Sequence, residues 1–367
     1  MTENRIGIMT IFSVYNYGAM LQAYALDKYL NDCGYKSEII DYRPYSVCKA
    51  YDFYFRDLIF RPKSGLRALK QKYIANQKFK RFNSFLEHEL NISKKCFTGF
   101  KALCSHNYSV LITGSDQIWN PYITNSDENF LLSFADKSVK KIAYSSSFGV
   151  SCISNNWEDR IKHYLNDFSF IGIREETGVS IVKELLPKKD VNLVLDPVFL
   201  FNKDFWHNFS ESKNKYVDKY TENNYVLVYS LEINDCLVNF AKTISVEHNL
   251  KIICIHPFRN DYHFADVCIN DAGPKEFVNL IKNATYVVTN SFHGTVFSII
   301  FNKKLVCVPH SKTGSRMTNL LDRLGLKKIN CEIKGNDIPL YFCSDIDISK
   351  FDEEIYLSKK FLIESIK

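Results

Sequence analysis

Glycine and proline are scarce in this 367-residue chain, at 14 and 9 residues. That excludes a collagen-like repeat, and no low-complexity tract or internal repeat appears. No apolar run reaches the roughly 18 residues that a membrane-spanning helix needs. There is no CxxC pair. The closest two of the 11 cysteines are Cys96 and Cys104, so a zinc ribbon or thioredoxin motif is excluded and a disulfide framework is not expected. His256 and His263 lack neighbouring cysteines or paired carboxylates at ligand spacing, so no metal site is expected. Neither a P-loop nor G-x-S-x-G occurs, and Asn16-Tyr17-Gly18-Ala19 is not the G-x-G-x-x-G of a dinucleotide site. Charge of one sign is also lacking. The 47 basic residues barely exceed 41 acidic ones, and a net charge of +6 does not indicate a nucleic-acid partner.

What is present is an ordinary globular composition, 46% hydrophobic and 24% charged. At about 150 residues per domain, two domains are expected. Most cysteines lie in apolar runs, such as Cys254 and Cys307, and are expected in the core of a protein of a reducing compartment. The apolar stretch Ile6 to Val14 lacks a basic flank and a small-residue cleavage site. It therefore reads as a first strand rather than a signal peptide, and a cytoplasmic location is expected.

Strand and helix patterns alternate along the chain, which predicts parallel sheets. Residues 5–14 read as a strand, Ala19 to Asp32 as a helix and Ser37 to Tyr42 as a strand. Further strands are expected at Ser109–Thr113, Lys141–Ser145, Phe170–Ile173, Tyr225–Ser230, Lys251–His256, Tyr286–Thr289 and, last, Leu305–Val308. The expected organisation is a first Rossmann-like domain over 1–196, a second over 197–345 and a closing helix over 346–367. A polar stretch from Asn202 to Asn224 follows the boundary. An aromatic, basic insert at about 44–91 reads as one or two amphipathic helices. Its cations between Arg56 and Arg81 suit a solvated face or a peripheral contact with anionic lipid.

In such sheets ligands bind beyond the carboxyl ends of the strands. Thr289-Asn290-Ser291-Phe292-His293-Gly294 ends one strand and starts a helix, where free N–H groups and the helix dipole favour an anion. There Ser291 can cap, Gly294 leaves room for close approach, and His293 can donate a proton; the alternative is a capping serine beside a packed histidine. Arg174 ends another strand and can clamp a carboxylate or phosphate, or else pair with Glu175 or Glu176. Lys312 and Arg316 follow the last expected strand and are further anion candidates, or belong to a surface loop. In Gly114-Ser115-Asp116-Gln117-Ile118-Trp119-Asn120, Asp116 can serve as a base on a sugar hydroxyl and Trp119 can stack on a sugar ring. The alternative is a turn aspartate and a core tryptophan. Gly18 permits close backbone approach to a ligand.

NYGAMLQAYAL, ITGSDQIWN, YSSSFG, IGIREETG, LDPVFL and TNSFHGTVFSIIFNKKLVCVP follow one another in order. As a set they resemble the polysaccharide pyruvyl transferase family. The resemblance implies a GT-B-like fold of two Rossmann-type domains around a cleft. It implies transfer of a pyruvyl group from phosphoenolpyruvate to a sugar as a ketal, with phosphate released and no cofactor. It matches His293 and Arg174 to residues that hold the donor, with the acceptor on the side of the first domain and the donor on that of the second; in the reaction so implied, His293 is the candidate acid and Asp116 the candidate base. The donor falls to Arg174, Ser291, Gly294, Lys312 and Arg316, and the acceptor, a sugar or lipid-linked oligosaccharide, to Asn16, Gly18, Gln117 and Trp119. Some members carry Arg-Leu where this chain has Ser291-Phe292, so the missing cation is expected from Lys312 or Arg316. Two other readings stay open. One is a GT-B glycosyltransferase presenting Glu276 to the ribose of a sugar nucleotide, and the other a non-catalytic glycan-binding protein.

Overall fold

The computed structural model describes residues 5–48, 66–211, 224–232, 235–256, 263–308, 315–333 and 336–367. Two mostly parallel sheets form its framework. The first has seven strands in the order β3-β2-β1-β4-β5-β6-β7. They are β1 (Arg5–Met9), β2 (Lys36–Tyr42), β3 (Ile92–Phe97), β4 (Val110–Thr113), β5 (Lys140–Ser146), β6 (Phe170–Ile173) and β7 (Asn192–Leu193). All adjacent pairs run parallel. The second sheet follows β10-β9-β8-β11-β12-β14-β13. Its strands are β8 (Tyr225–Tyr229), β9 (Lys251–Ile255), β10 (Val267–Ile269), β11 (Tyr286–Thr289), β12 (Lys304–Cys307), β13 (Lys327–Ile333) and β14 (Asn336–Cys343). The central strands are buried on both faces, which is why they read as unbroken apolar runs such as YVLVY and YVVT.

The helices are α1 (Tyr17–Asp32), α2 (Leu66–His88), α3 (Asn155–Leu165), α4 (Glu176–Leu185), α5 (Lys203–Ser210), α6 (Asp235–His248), α7 (Pro274–Asn283), α8 (Phe292–Ile300), α9 (Ser315–Arg323) and α10 (Asp352–Ile366), with several shorter turns between them. Strand order reverses between β1 and β4 in one sheet and between β8 and β11 in the other. These are the switch points where doubly wound sheets bind ligands.

One hydrophobic cluster spans both lobes. It joins Tyr17, Met20 and Leu21 of α1, Phe82 and Phe85 of α2, and Tyr229, Phe277 and Phe297 of the second lobe. Tyr17 stacks on Phe277 with centroids 4.7 Å apart and planes 2° apart, and its hydroxyl donates to the Ala272 carbonyl at 3.1 Å. Helix α10 returns to the first sheet. Leu362 is buried with Ile6 and Ile8, and Ser358 Oγ accepts from Leu195 N at 2.9 Å.

Several expectations need correction. Leu305–Val308 is not the last strand, since β14 pairs antiparallel with β12 and β13 with β14. Strand β3 was not expected because it is an edge strand with consecutive exposed residues and no clean alternation. The polar stretch after Asn202 contains α5, whose Trp206 is fully buried against Tyr24 and Phe297. Cysteine placement also differs. Cys236, Cys254 and Cys307 are buried, but Cys33, Cys96, Cys104 and Cys152 are exposed, and these four thiols form no disulfide.

Of the basic insert's described cations, Lys80 is exposed but two others turn inward. Lys78 is buried, its Nζ donates to the His256 carbonyl at 3.5 Å, and burial pulls its titration down to about 7. Arg81 donates to the Asp271 carbonyl at 3.0 Å and lies 3.8 Å from Glu276. These two cations therefore brace α2 against the second lobe rather than face solvent or lipid. The insert's residues 49–65, and the side chains of 66–75, lie outside the described residues. Among the described residues no helix is long and apolar enough to cross a membrane.

Tyr17→Ala removes the stacked ring and its hydrogen bond, and should cost about 3–5 kcal/mol of unfolding free energy. Urea denaturation followed by tryptophan fluorescence measures this. A loss below about 1 kcal/mol would mean that the lobes are not held through this contact.

Candidate active site

The switch point of the first sheet is built by β1, β4, β5 and β6. Gln22 of α1 locks it, donating to Thr10 Oγ1 and the Ile11 carbonyl and accepting from Ser115 N at 3.1 Å. Asp116 follows in the left-handed region (φ 71°), its Oδ1 accepting from Gln117 N at 2.8 Å and lying 3.7 Å from Arg174 Nη2. Arg174, immediately after β6, is buried. It does not pair with Glu175 or Glu176 but with Asp196, Nη1 to Oδ2 at 2.7 Å. Burial works against the guanidinium charge, but Asp196 and Asp116 more than offset it, so its titration rises.

Asp196 lies where the chain leaves the first sheet. Its Oδ1 accepts from Val198 N at 3.2 Å and caps the turn Pro197–Leu200. Its Oδ2 takes Arg174, accepts from Ser115 Oγ at 3.3 Å, and faces His293 Nε2 of the second lobe at 3.4 Å. Burial would raise its titration, yet His293 and Arg174 together hold it well below the ordinary carboxylate range.

His293 arrives through the turn that begins α8. Ser291 caps that helix, its Oγ accepting from Gly294 N at 3.3 Å. The imidazole is buried between Asp196 and the start of α1, and its Nε2 has no aligned hydrogen-bond partner. A Cβ on Gly18 would lie 2.0 Å from His293 Nδ1. Gly18 is thus small for the sake of the histidine ring, not for a ligand. A Cβ on Gly294 would likewise lie 2.6 Å from Thr289 Oγ1, so that glycine too makes room for protein.

A cleft with about 300 Å³ of empty space opens beside these groups, lined among others by Arg174, Glu175, Asp196, Phe292 and Arg316. Phe292 explains the departure from Arg-Leu. The guanidinium carbons of Arg174 and Arg316 stand 4.6 and 5.5 Å from its ring centroid, a cation–π arrangement that lets two like charges share one pocket. Burial, and then Arg174, pull the titration of Arg316 down to about 10. Arg174 Nε and Nη2, Arg316 Nε and Glu175 Oε2 are buried without hydrogen-bond partners. Glu175 Oε1, by contrast, accepts from Ser147 Oγ and from Phe148 and Gly149 N.

The structure thus brings His293, Arg174, Asp116 and Arg316 together. Asn16 caps α1, accepting from Gly18 N at 2.9 Å. Gln117 Oε1 accepts from Asn120 Nδ2 at 2.9 Å. Trp119 cannot stack on a sugar, because it is fully buried and donates to the Phe130 carbonyl at 3.1 Å. Glu276 is not presented to a ribose. It completes the capping box of α7 through Gly273 N at 3.0 Å and lies against Arg81. Lys312 lies outside the described residues. Asp196 was missed, although the signal was there. A carboxylate inside the apolar run LVLDPVFL must be buried, and a buried carboxylate requires partners.

Two Rossmann-type lobes with a cationic pocket at their boundary define a GT-B-like enzyme. The model of the polysaccharide pyruvyl transferase family matches residues 16–312, and the chain belongs to that family of transferases. Among solved structures, UDP-GlcNAc 2-epimerase from Methanocaldococcus jannaschii is similar at 12% identity and a TM-score of 0.47, covering 99% of this chain and 91% of that one. UDP-N-acetylglucosamine 2-epimerase from Rickettsia bellii is similar at 10% and 0.46, covering 99% and 95%. A glycosyltransferase from Streptomyces sp. SF2575 is similar at 12% and 0.40, covering 88% and 86%. No curated protein matches the chain.

Gly18→Ala adds a methyl group where the imidazole stands, while alanine favours the helix by about 1 kcal/mol. Turnover should fall at least tenfold and the thermal midpoint should drop, because overpacking the buried ring costs about 1–3 kcal/mol. Wild-type turnover would show that the ring's position does not matter.

Proposed function

We propose that this transferase moves the pyruvyl group of phosphoenolpyruvate onto two hydroxyls of a sugar in a surface polysaccharide or its precursor. The product is a ketal, and phosphate is released. The observation that carries this reading is the pair of buried guanidinium groups whose unpartnered nitrogens line one small cleft. Such donors require an anion. A three-carbon donor bearing a carboxylate and a phosphate offers two.

Arg174 and Arg316 hold these two anionic groups, with Lys312 as a further cation. His293, whose Nε2 is free of a hydrogen-bond partner, protonates the methylene carbon, which leaves C2 electrophilic. The first sugar hydroxyl adds to C2 and loses its proton to Asp116. The C2–O bond to phosphate then breaks with its electron pair on oxygen, and the arginines offset the charge on the departing group. A second hydroxyl closes the ketal. Of the two hydroxyl protons, one replaces that spent on the methyl group and the other leaves with phosphate. Ser291 keeps the start of α8 in place, and Asn16 and Gly18 bring the first helix against it. The free thiols suit a reducing, cytoplasmic setting.

The test is incubation with phosphoenolpyruvate and a panel of galactosides, mannosides and aminosugars, read by mass spectrometry and phosphate release. A pyruvyl adduct is expected with at least one acceptor. His293→Ala should keep the fold and lose at least a hundredfold in turnover, and Arg316→Ala should raise KM for phosphoenolpyruvate more than tenfold. Wild-type phosphate release by His293→Ala would refute the assignment.

A further inference from the structure

Three observations meet at one carboxylate. Asp196 is the fully buried partner of Arg174, with side-chain exposures of 0% and 2%. It is fixed in orientation, because Oδ1 is committed to Val198 N of its own turn. And it engages only one corner of the guanidinium, Nη1 at 2.7 Å. Nε and Nη2 remain buried without a hydrogen-bond partner, with Asp116 Oδ1 standing 3.7 Å from Nη2. Those two nitrogens form the side-on edge of an arginine, the edge that presents two parallel N–H groups to a carboxylate or phosphate.

We infer that Asp196 is a positioning residue, which pins the Nη1 corner of Arg174 so that its two-pronged Nε–Nη2 edge is turned to the bound anion. Ser115, from the loop after β4, supports the same oxygen from 3.3 Å. Without this anchor the guanidinium, stacked on Phe292, is free to rotate about its Cζ–Nε bond, exchanging Nη1 and Nη2, and to swing on its side-chain torsions. Asp196 also faces His293 Nε2 at 3.4 Å. One oxygen therefore ties the donor-binding arginine of the first lobe to the histidine of the second. This role rests on the donor site proposed above. It differs from a purely structural ion pair in what it predicts, because a structural pair lowers stability when broken and leaves the geometry of anion binding to others.

The experiment uses the full chain and two readouts. The first is 15N NMR of the arginine side chains, with the Arg174 signals assigned by their loss in Arg174→Lys. A pinned guanidinium rotates slowly, so the wild type should show two resolved Nη resonances for Arg174, and Asp196→Asn should merge them. The second is calorimetric binding of phosphoenolpyruvate. Asp196→Asn should weaken it at least tenfold, and should add less than twofold in the Arg174→Lys background, since the carboxylate acts only through that guanidinium. Averaged Arg174 resonances in the wild type overturn the inference, and this holds even if Asp196→Asn fails to fold. Wild-type affinity in a folded Asp196→Asn, or an undiminished effect in the Arg174→Lys background, overturns it too. If the wild type binds no phosphoenolpyruvate, the donor assignment fails instead. The NMR comparison, with inorganic phosphate as the probe anion, still decides the positioning role.

Discussion

The buried ion pair between Arg174 and Asp196 is the contact on which the site depends. Neither charge is tolerable alone at that depth, because taking an isolated ion out of water costs several kcal/mol. Once paired, each carries a second obligation. Asp196 holds the turn that leads from the first sheet to α5, and Arg174 reaches the cleft beside Phe292. The route of the chain between lobes and the charge in the pocket are therefore set by one interaction. Removing either partner would strand the other.

The two lobes are not equivalent in what they contribute. The first supplies Arg174, Asp116 and Ser115 from the ends of its strands. The second supplies His293, Phe292 and Arg316 from the starts of two helices. Near the carboxyl end of β8, Tyr17 of α1 packs edge-on to Tyr229 and stacked on Phe277. Lys78 and Arg81 of α2 meet the carbonyls that follow β9 and β10.

Much of this was legible in the sequence. Both sheets announced themselves through apolar runs ending in polar turns, and the ends of β4, β6 and β11 marked Asp116, Arg174 and His293, which the structure brings near one another. Edge elements were not legible. Strand β3 and the β13–β14 pair have little two-sided burial, so they lack the unbroken apolar run that betrays a central strand. Partner choice was also hidden. Nothing local tells that Arg174 will pass over Glu175 beside it for Asp196, because that choice depends on how β6 and the departing chain lie in three dimensions. The glycines misled for a related reason. A missing side chain signals close approach, but not whether a ligand or, as at Gly18, another side chain comes close.

The empty pocket is electrostatically tense, and the tension has a direction. Arg316 is buried against the Phe292 ring; burial and the neighbouring Arg174 oppose its charge, while Glu175, Asp116 and Asp196 support it. Glu175 relieves the tension only in part, since one carboxylate oxygen is committed to the 147–149 loop and the other has no hydrogen-bond partner. An anion placed between the two guanidinium groups would offset their repulsion and satisfy nitrogens that now lack partners. Part of the cost of holding them together is thus met during folding, by Asp196 and by Phe292. In the proposed donor site, binding of an anion would recover the remainder, as a preorganised anion site requires.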